Sequence, residues 1–348
     1  MRVQAMMIRS STIVLTLIFT SFLCVTSATA NCLMFGENER LSNYCLLERV
    51  KGKLVDKNTA KIVAQRLLQE GYLGGLKAPK TSINFYPNIS YSNNINGGNP
   101  DKPLILGDLT FEGEPALVTK KGVVLGINLN GSATNTYGEG RYINAFVSGA
   151  FFVSPRHRLS YTNARLGLCS KNKVTGNVYF DACAVQATQT KDITKSKDKS
   201  LTASLSRLST IDGLGFTEGK IGVSHLITND YNQNQVFLSL DTIHHKNLYS
   251  SLTIKFGEAL YEQLAMKHRI NLTLSSFVNG QKYSLGLSHE QSDGGILLGV
   301  SRSDKTQKAS VTTNISAGTQ LDFSLTRVES SIDYFNQMYP SINLTVSW

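Results

Sequence analysis

From Thr81 to the end of the chain, apolar and polar residues alternate in short runs. Leu125, Ile127 and Leu129 alternate with Gly126, Asn128 and Asn130, and Ile270, Leu272 and Leu274 with Asn271, Thr273 and Ser275. Val236, Leu238 and Leu240 alternate with Ser239 and Asp241, and Leu321, Phe323 and Leu325 with Asp322, Ser324 and Thr326. A period of two gives a strand one apolar and one polar face. Segments of about ten residues, separated by turn residues, are what membrane-spanning barrel strands require. Asp241, Lys255 and Asp322 fall on the polar face with Ser, Thr, Asn and Gly. A lysine facing lipid at mid-membrane would cost ~2–4 kcal/mol. The polar face is rich in small residues, which suits a wet lumen better than the filled core of a sandwich.

The pattern predicts an all-β, antiparallel transmembrane β-barrel over residues 81–348. With both termini inside, the segments count to fourteen strands. Twelve or sixteen remain open, because 104–111 and 295–302 can each be read as a strand. Short turns near 136–140, 172–177, 210–215, 245–247, 278–281 and 317–319 alternate with longer connections at 93–117, 190–199, 228–234, 258–266, 290–303 and 329–339. The short Ser154–His157 connection falls on the long side.

At the C-terminus, Ile342, Leu344, Val346 and Trp348 share one face of an alternating strand that ends on an aromatic residue. This tail resembles the closing strand of bacterial outer-membrane barrels, which implies the barrel assembly machinery as a partner.

The amino-terminal eighty residues follow other rules. Arg2 and Arg9 precede an apolar run from Thr12 to Val25, and Ala28-Thr29-Ala30 offers a small-x-small cleavage pattern. The run is too short for a spanning helix, so residues 1–30 are predicted to be a cleaved secretory signal. Leu23 and Asn31 precede Cys24 and Cys32 where lipidation wants a small residue. Residues 31–80 then form a short helical periplasmic segment, read as a cap, plug or docking piece. Ala60, Ile62, Val63, Leu67 and Leu68 predict an amphipathic helix over Lys57–Leu76, with a second short piece around Leu41–Arg49.

Removing the signal leaves four cysteines, an even number that suits an oxidising compartment. Cys32 with Cys45 would staple the small helical segment, a closure worth ~3 kcal/mol. A hairpin centred on Gly176 sets Cys169 opposite Cys183, a separation compatible with a disulfide. Both then face the lumen with Arg165, Gly167 and Asp181, while Leu166, Leu168 and Phe180 take the other face. The mature chain carries 33 basic against 25 acidic residues, a net +8. That favours anionic partners such as lipopolysaccharide phosphates at the outer membrane of a Gram-negative bacterium. Scattered basic residues and export argue against nucleic acid.

No strong catalytic motif is present, and no enzyme activity, cofactor or metal is expected. The six histidines lie apart in the strand map, and the adjacent His244 and His245 make a poor metal pair. Ser224-His225 invites comparison with an outer-membrane phospholipase, but the serine precedes the histidine and no supporting Asn or Asp is apparent. Gly138-Glu139-Gly140 and Gly294-Gly295 are turn glycines rather than phosphate cradles. Glu290, Asp293 and Asp304 can be drawn as a divalent-ion site on an outer loop, with solvated loop charge the simpler reading.

Leu298-Gly299-Val300-Ser301-Arg302-Ser303-Asp304-Lys305 is similar to the aliphatic-Gly-x-x-Arg-x-Asp step of the surface lipoprotein assembly modifier (Slam) family, carried here by Gly299, Arg302 and Asp304. Ser331-Ile332-Asp333-Tyr334-Phe335 with Pro340–Trp348 resembles that family's last outer loop and closing strand, and Asn88–Asn96 its first strand and Asn-rich loop. The resemblance implies a fourteen-stranded barrel that assists translocation or surface display of an exported lipoprotein cargo, with no catalytic residues. About fifty residues stand where that family carries a long helical-repeat domain. The alternative from the residues themselves is a passive, porin-like diffusion channel for small solutes, anionic ones among them.

Overall fold

A computed structural model describes Cys32, residues 38–52, parts of 57–65, and residues 80–346 except 246 and 317. The predicted signal segment and Trp348 lie outside the described residues, as do Ile62, Val63, Leu67 and Leu68 of the predicted helix; its described members, among them Ala60, are helical.

Fourteen antiparallel strands close into one barrel. They are β1 (Lys80–Ser92), β4 (Gly122–Gly138), β5 (Arg141–Ser154), β6 (Leu159–Thr175), β7 (Val178–Thr190), β8 (Lys195–Ile211) and β9 (Gly215–Ile227). There follow β10 (Asn232–His244), β11 (Leu248–Gly257), β12 (Ala265–Val278), β13 (Gln281–Leu297), β14 (Val300–Ser316), β15 (Thr319–Ser330) and β16 (Gln337–Val346). Each strand pairs with its sequence neighbour, and β1 pairs with β16 to close the cylinder.

Neither optional segment becomes a barrel strand. Leu104–Leu106 (β2) and Leu109–Phe111 (β3) form a separate two-stranded hairpin in the first outer loop. Residues 295–302 instead hold the tip of the β13–β14 hairpin, where Leu298 and Gly299 turn with φ of 49° and 82°. The outer connection predicted over 290–303 is therefore mostly strand, as is the end of 190–199, since β8 begins at Lys195.

The alternating apolar residues face outward. Ile127 is 58 % and Leu166 57 % exposed, far from any core position, while Cys169, Asp181 and Ser204 of the opposite face are buried. On β8 the outward row reads Lys199, Leu201, Ala203, Leu205, Arg207, an apolar stretch bracketed by basic residues. Hydrocarbon admits strands only where every backbone group is paired, which a closed barrel achieves. The chain is a transmembrane β-barrel of the outer-membrane type.

The closing seam differs from the rest of the sheet. Its ladder runs only from Asn88↔Thr345 to Tyr91↔Ile342, four residue pairs, whereas every other neighbouring pair of barrel strands registers nine or more. Pro87 lies one position below this ladder on β1, and Pro340 two positions above it on β16. Lacking an N–H, neither can extend the seam by donating. Ile342 and Leu344, from the tail singled out above, sit within this ladder and Val346 at its edge.

Candidate functional site

The site is the lumen, and one helix occupies its short-turn end. Helix α1 (Glu39–Lys51) starts at Asn38, whose side chain accepts from the Leu41 backbone amide, and ends at Gly52. It begins before and outlasts the short piece expected at Leu41–Arg49. The downstream stretch, helical at its described residues, lies largely outside the described residues, and α1 is longer than the piece expected there. The physical reason lies in what it buries: Arg40, Ser42 and Asn43 as well as Leu41, Cys45 and Leu46. A helix seated in a polar lumen needs no apolar stripe.

Two kinds of contact hold α1. Leu41, Leu46 and the Cys32–Cys45 disulfide pack on Tyr179, Leu208, Phe216, Ile243 and Tyr249 of the inner wall. Arg40 Nη2 and Nη1 donate to the two oxygens of Asp181 at 2.6 and 3.1 Å, and Nη1 also reaches Glu218 Oε1 at 3.1 Å. The guanidinium lies 4.3 Å from the Tyr179 ring centroid. Burial alone would lower its pKa, but the Asp181 hydrogen bonds and the charges of Asp181 and Glu218 outweigh that and raise it. Asn38 Nδ2 donates to Glu218 Oε2 at 2.6 Å and to Asp241 Oδ2 at 3.0 Å. Helix α1 is thus seated inside the short-turn mouth as a plug, pinned to β7, β9 and β10.

Above the plug the lumen is polar. A cavity of about 570 Å³ is lined by Asn128, Asn130, Asn163, Arg165, Gln189 and Asp198. It shares Asn128 and Asn163 with another of about 670 Å³ nearer the outer loops, bordered by Asn88, Tyr161, Lys191 and Asn343. Three basic side chains here rest on aromatic faces, Arg165 on Phe146, Lys191 on Tyr161 and Lys255 on Phe237, within 6 Å of the ring centroids; a fourth, Lys171 on Tyr142, stands opposite Asp181 at the level of the plug. The acids are mostly engaged already, Asp181 and Glu218 by Arg40, Glu290 by Arg269, Asp304 by Arg302, and Asp322 by Thr312 and Gln320. A ring leaves the cation its full charge, whereas a carboxylate cancels it.

Cys169 and Cys183 pair directly across β6 and β7 and are joined by a disulfide on the lumen face. Glu290, Asp293 and Asp304 do not converge: Arg269, Lys267 and Arg302 bind one each. Gly299 marks the β13–β14 tip, and Arg302 holds Asp304 bidentately at 3.1 and 2.6 Å while covering the Phe335 ring. Ser331 ties the last outer loop to the same hairpin through Ser301 and Ser303.

Two expectations about histidines need correcting. His268 and His289 are not apart; their rings lie 5.7 Å from each other across β12 and β13, a diagonal neighbourhood that a linear strand map misses. His225 does have a supporting residue: its Nδ1 donates to Asn234 Oδ1 at 2.8 Å. Asn234 in turn donates to Glu258 from its backbone amide at 2.8 Å and from Nδ2, and these bonds hold the Glu258 carboxyl below the usual carboxylate range. Ser224 nevertheless points to the opposite face and bonds Gln235, so no serine nucleophile faces His225 from that position.

No family model and no curated protein matches this chain. Among solved structures it is similar to OprB of Pseudomonas putida, at 8 % identity over 82 % of this chain and 96 % of that one, with a TM-score of 0.43. It is similar to OccAB1 of Acinetobacter baumannii (7 %, 80 % and 98 %, 0.41) and to a BenF-like porin of Pseudomonas fluorescens (9 %, 79 % and 99 %, 0.40).

Proposed function

We propose that the chain is a passive, plugged diffusion channel for small polar solutes, with a weak preference for anions. The observation that carries this is the lumen's charge arrangement, with most acids tied to protein partners and Arg165, Lys191 and Lys255 laid on rings. Selectivity then follows from unneutralised positive charge along the path. Purified protein in planar bilayers should give steady conductance with a reversal potential on the anion side. A sealed bilayer after verified insertion would end this proposal.

A second reading, surface display of a lipoprotein, draws on the Slam-like residues. Arg302 and Phe335, from two separate resembling segments, stack on each other at the outer rim. Comparing the surface proteome of intact cells with and without the gene tests it; an unchanged proteome leaves the channel alone.

A further inference from the structure

Lys195, Lys197 and Lys199 alternate with Ser196, Asp198 and Ser200 at the outer end of β8 and are exposed. They continue the outward row of Leu201, Ala203 and Leu205, so they stand on the lipid side of the wall just above the apolar belt. No carboxylate pairs with them among the described residues. From the first to the third is four residues, about 13 Å along the strand. Lysine stems can lie along the belt while the ammonium groups sit at headgroup height.

Beside this row the outer wall is dented. A groove of about 920 Å³ crosses it, floored by Ala182, Ala184 and Ala203, where neighbouring positions carry Leu, Ile or Val. Leu168 and Phe256 bound it on two sides, and His225, Asn234 and Glu258 cap its outer end. The Cys169–Cys183 bridge crosses the lumen face directly behind this floor, between the two alanines of β7. Small outward residues on a lipid-facing wall leave room for an acyl chain, and the basic row stands where that chain's headgroup would emerge.

We propose that this face holds one molecule of lipid A, with an acyl chain in the alanine-floored groove and its two phosphates on Lys195, Lys197 and Lys199. The outer end of the barrel faces the leaflet where that lipid resides. A basic row about 13 Å long suits two phosphates set apart by a disaccharide rather than the single phosphate of a glycerophospholipid. Glu258 stands three strands away, at the far outer corner of the groove, where Asn234 holds its carboxylate in place.

The test is native mass spectrometry of the mature chain in detergent with equimolar lipid A and phosphatidylglycerol. The wild-type protein should retain one lipid A in preference. The triple variant K195Q/K197Q/K199Q, altered only at exposed positions, should lose about tenfold or more in retention. Ala203→Phe, which fills the groove, should weaken lipid A while leaving the lysines in place. Gel mobility of the unheated barrel verifies folding of each variant. Equal retention by wild type and the triple variant overturns the proposal, as does equal retention of phosphatidylglycerol, or an unchanged affinity in Ala203→Phe.

Discussion

The two halves of the inner wall use their polar residues in opposite ways. On the β7–β11 side, Asp181, Glu218 and Asp241 are committed to α1, and Leu208, Phe216 and Ile243 complete an apolar seat for it. On the far side, β1, β4 and β16 present Asn88, Asn128, Asn130 and Asn343 to the polar cavities. Asn88 Oδ1 and Asn343 Oδ1 are buried without a protein partner. One wall is built to hold a part of the chain, the other to be wetted. A plug anchored to one side leaves its passage along the other.

The largest test of that contrast is Arg40→Ala. It removes the cation from a buried cluster, taking from Asp181 its bidentate partner and leaving Glu218 with Asn38 and the more distant Lys220, a change worth about 3–5 kcal/mol to the docked helix. Conductance should rise and fluctuate as α1 leaves its seat; an unaltered single-channel trace would show that the plug does not set the passage. Next is the paired variant C32S/C45S, which removes a closure worth ~3 kcal/mol. Its channels should be noisier than wild type, while C169S/C183S, whose bridge lies within an already paired hairpin, should record as wild type does. Smaller again is Lys255→Gln, which should lower the anion-to-cation permeability ratio, read from the reversal potential, by about fivefold at most, equivalent to ~1 kcal/mol. The smallest is Asn88→Ala on the wetted wall. Because its carbonyl oxygen has no protein partner, thermal stability should move by less than about 1 kcal/mol. A large loss there would mean that the two walls are not different in kind.

The barrel was legible because a period of two recurs from Thr81 to the end of the chain, and because Cys169 and Cys183 are equidistant from the Gly176 turn. The plug was legible only in part, since hydrophobic periodicity measures burial in an apolar core. Arg40, Ser42 and Asn43 are buried among carboxylates and hydroxyls, so the pattern marked only a short piece at Leu41–Arg49 where the helix runs from Glu39 to Lys51. A signal was present in the acids: Asp181, Glu218 and Asp241 stand on lumen faces close to the short turns, and three carboxylates there call for a cation. The outward lysines escaped notice for another reason. Charge marks the lumen face only at mid-membrane; at the rim lysine facing outward costs only about 0–1 kcal/mol. Asn234 and Glu258 escaped because their partnership with His225 crosses three strands.

The seam between β1 and β16 bears on who keeps the cylinder shut. Four rungs flanked by Pro87 and Pro340 amount to a few hydrogen bonds, each worth about 1 kcal/mol net against water. In hydrocarbon every unpaired backbone group costs several kcal/mol. The clasp is therefore fastened by the bilayer more than by the protein, and the same chain in loose detergent should exchange the amides of Ile89 and Tyr91 before those of any other strand centre. Hoop closure here is a property of the solvent in which the hoop is worn.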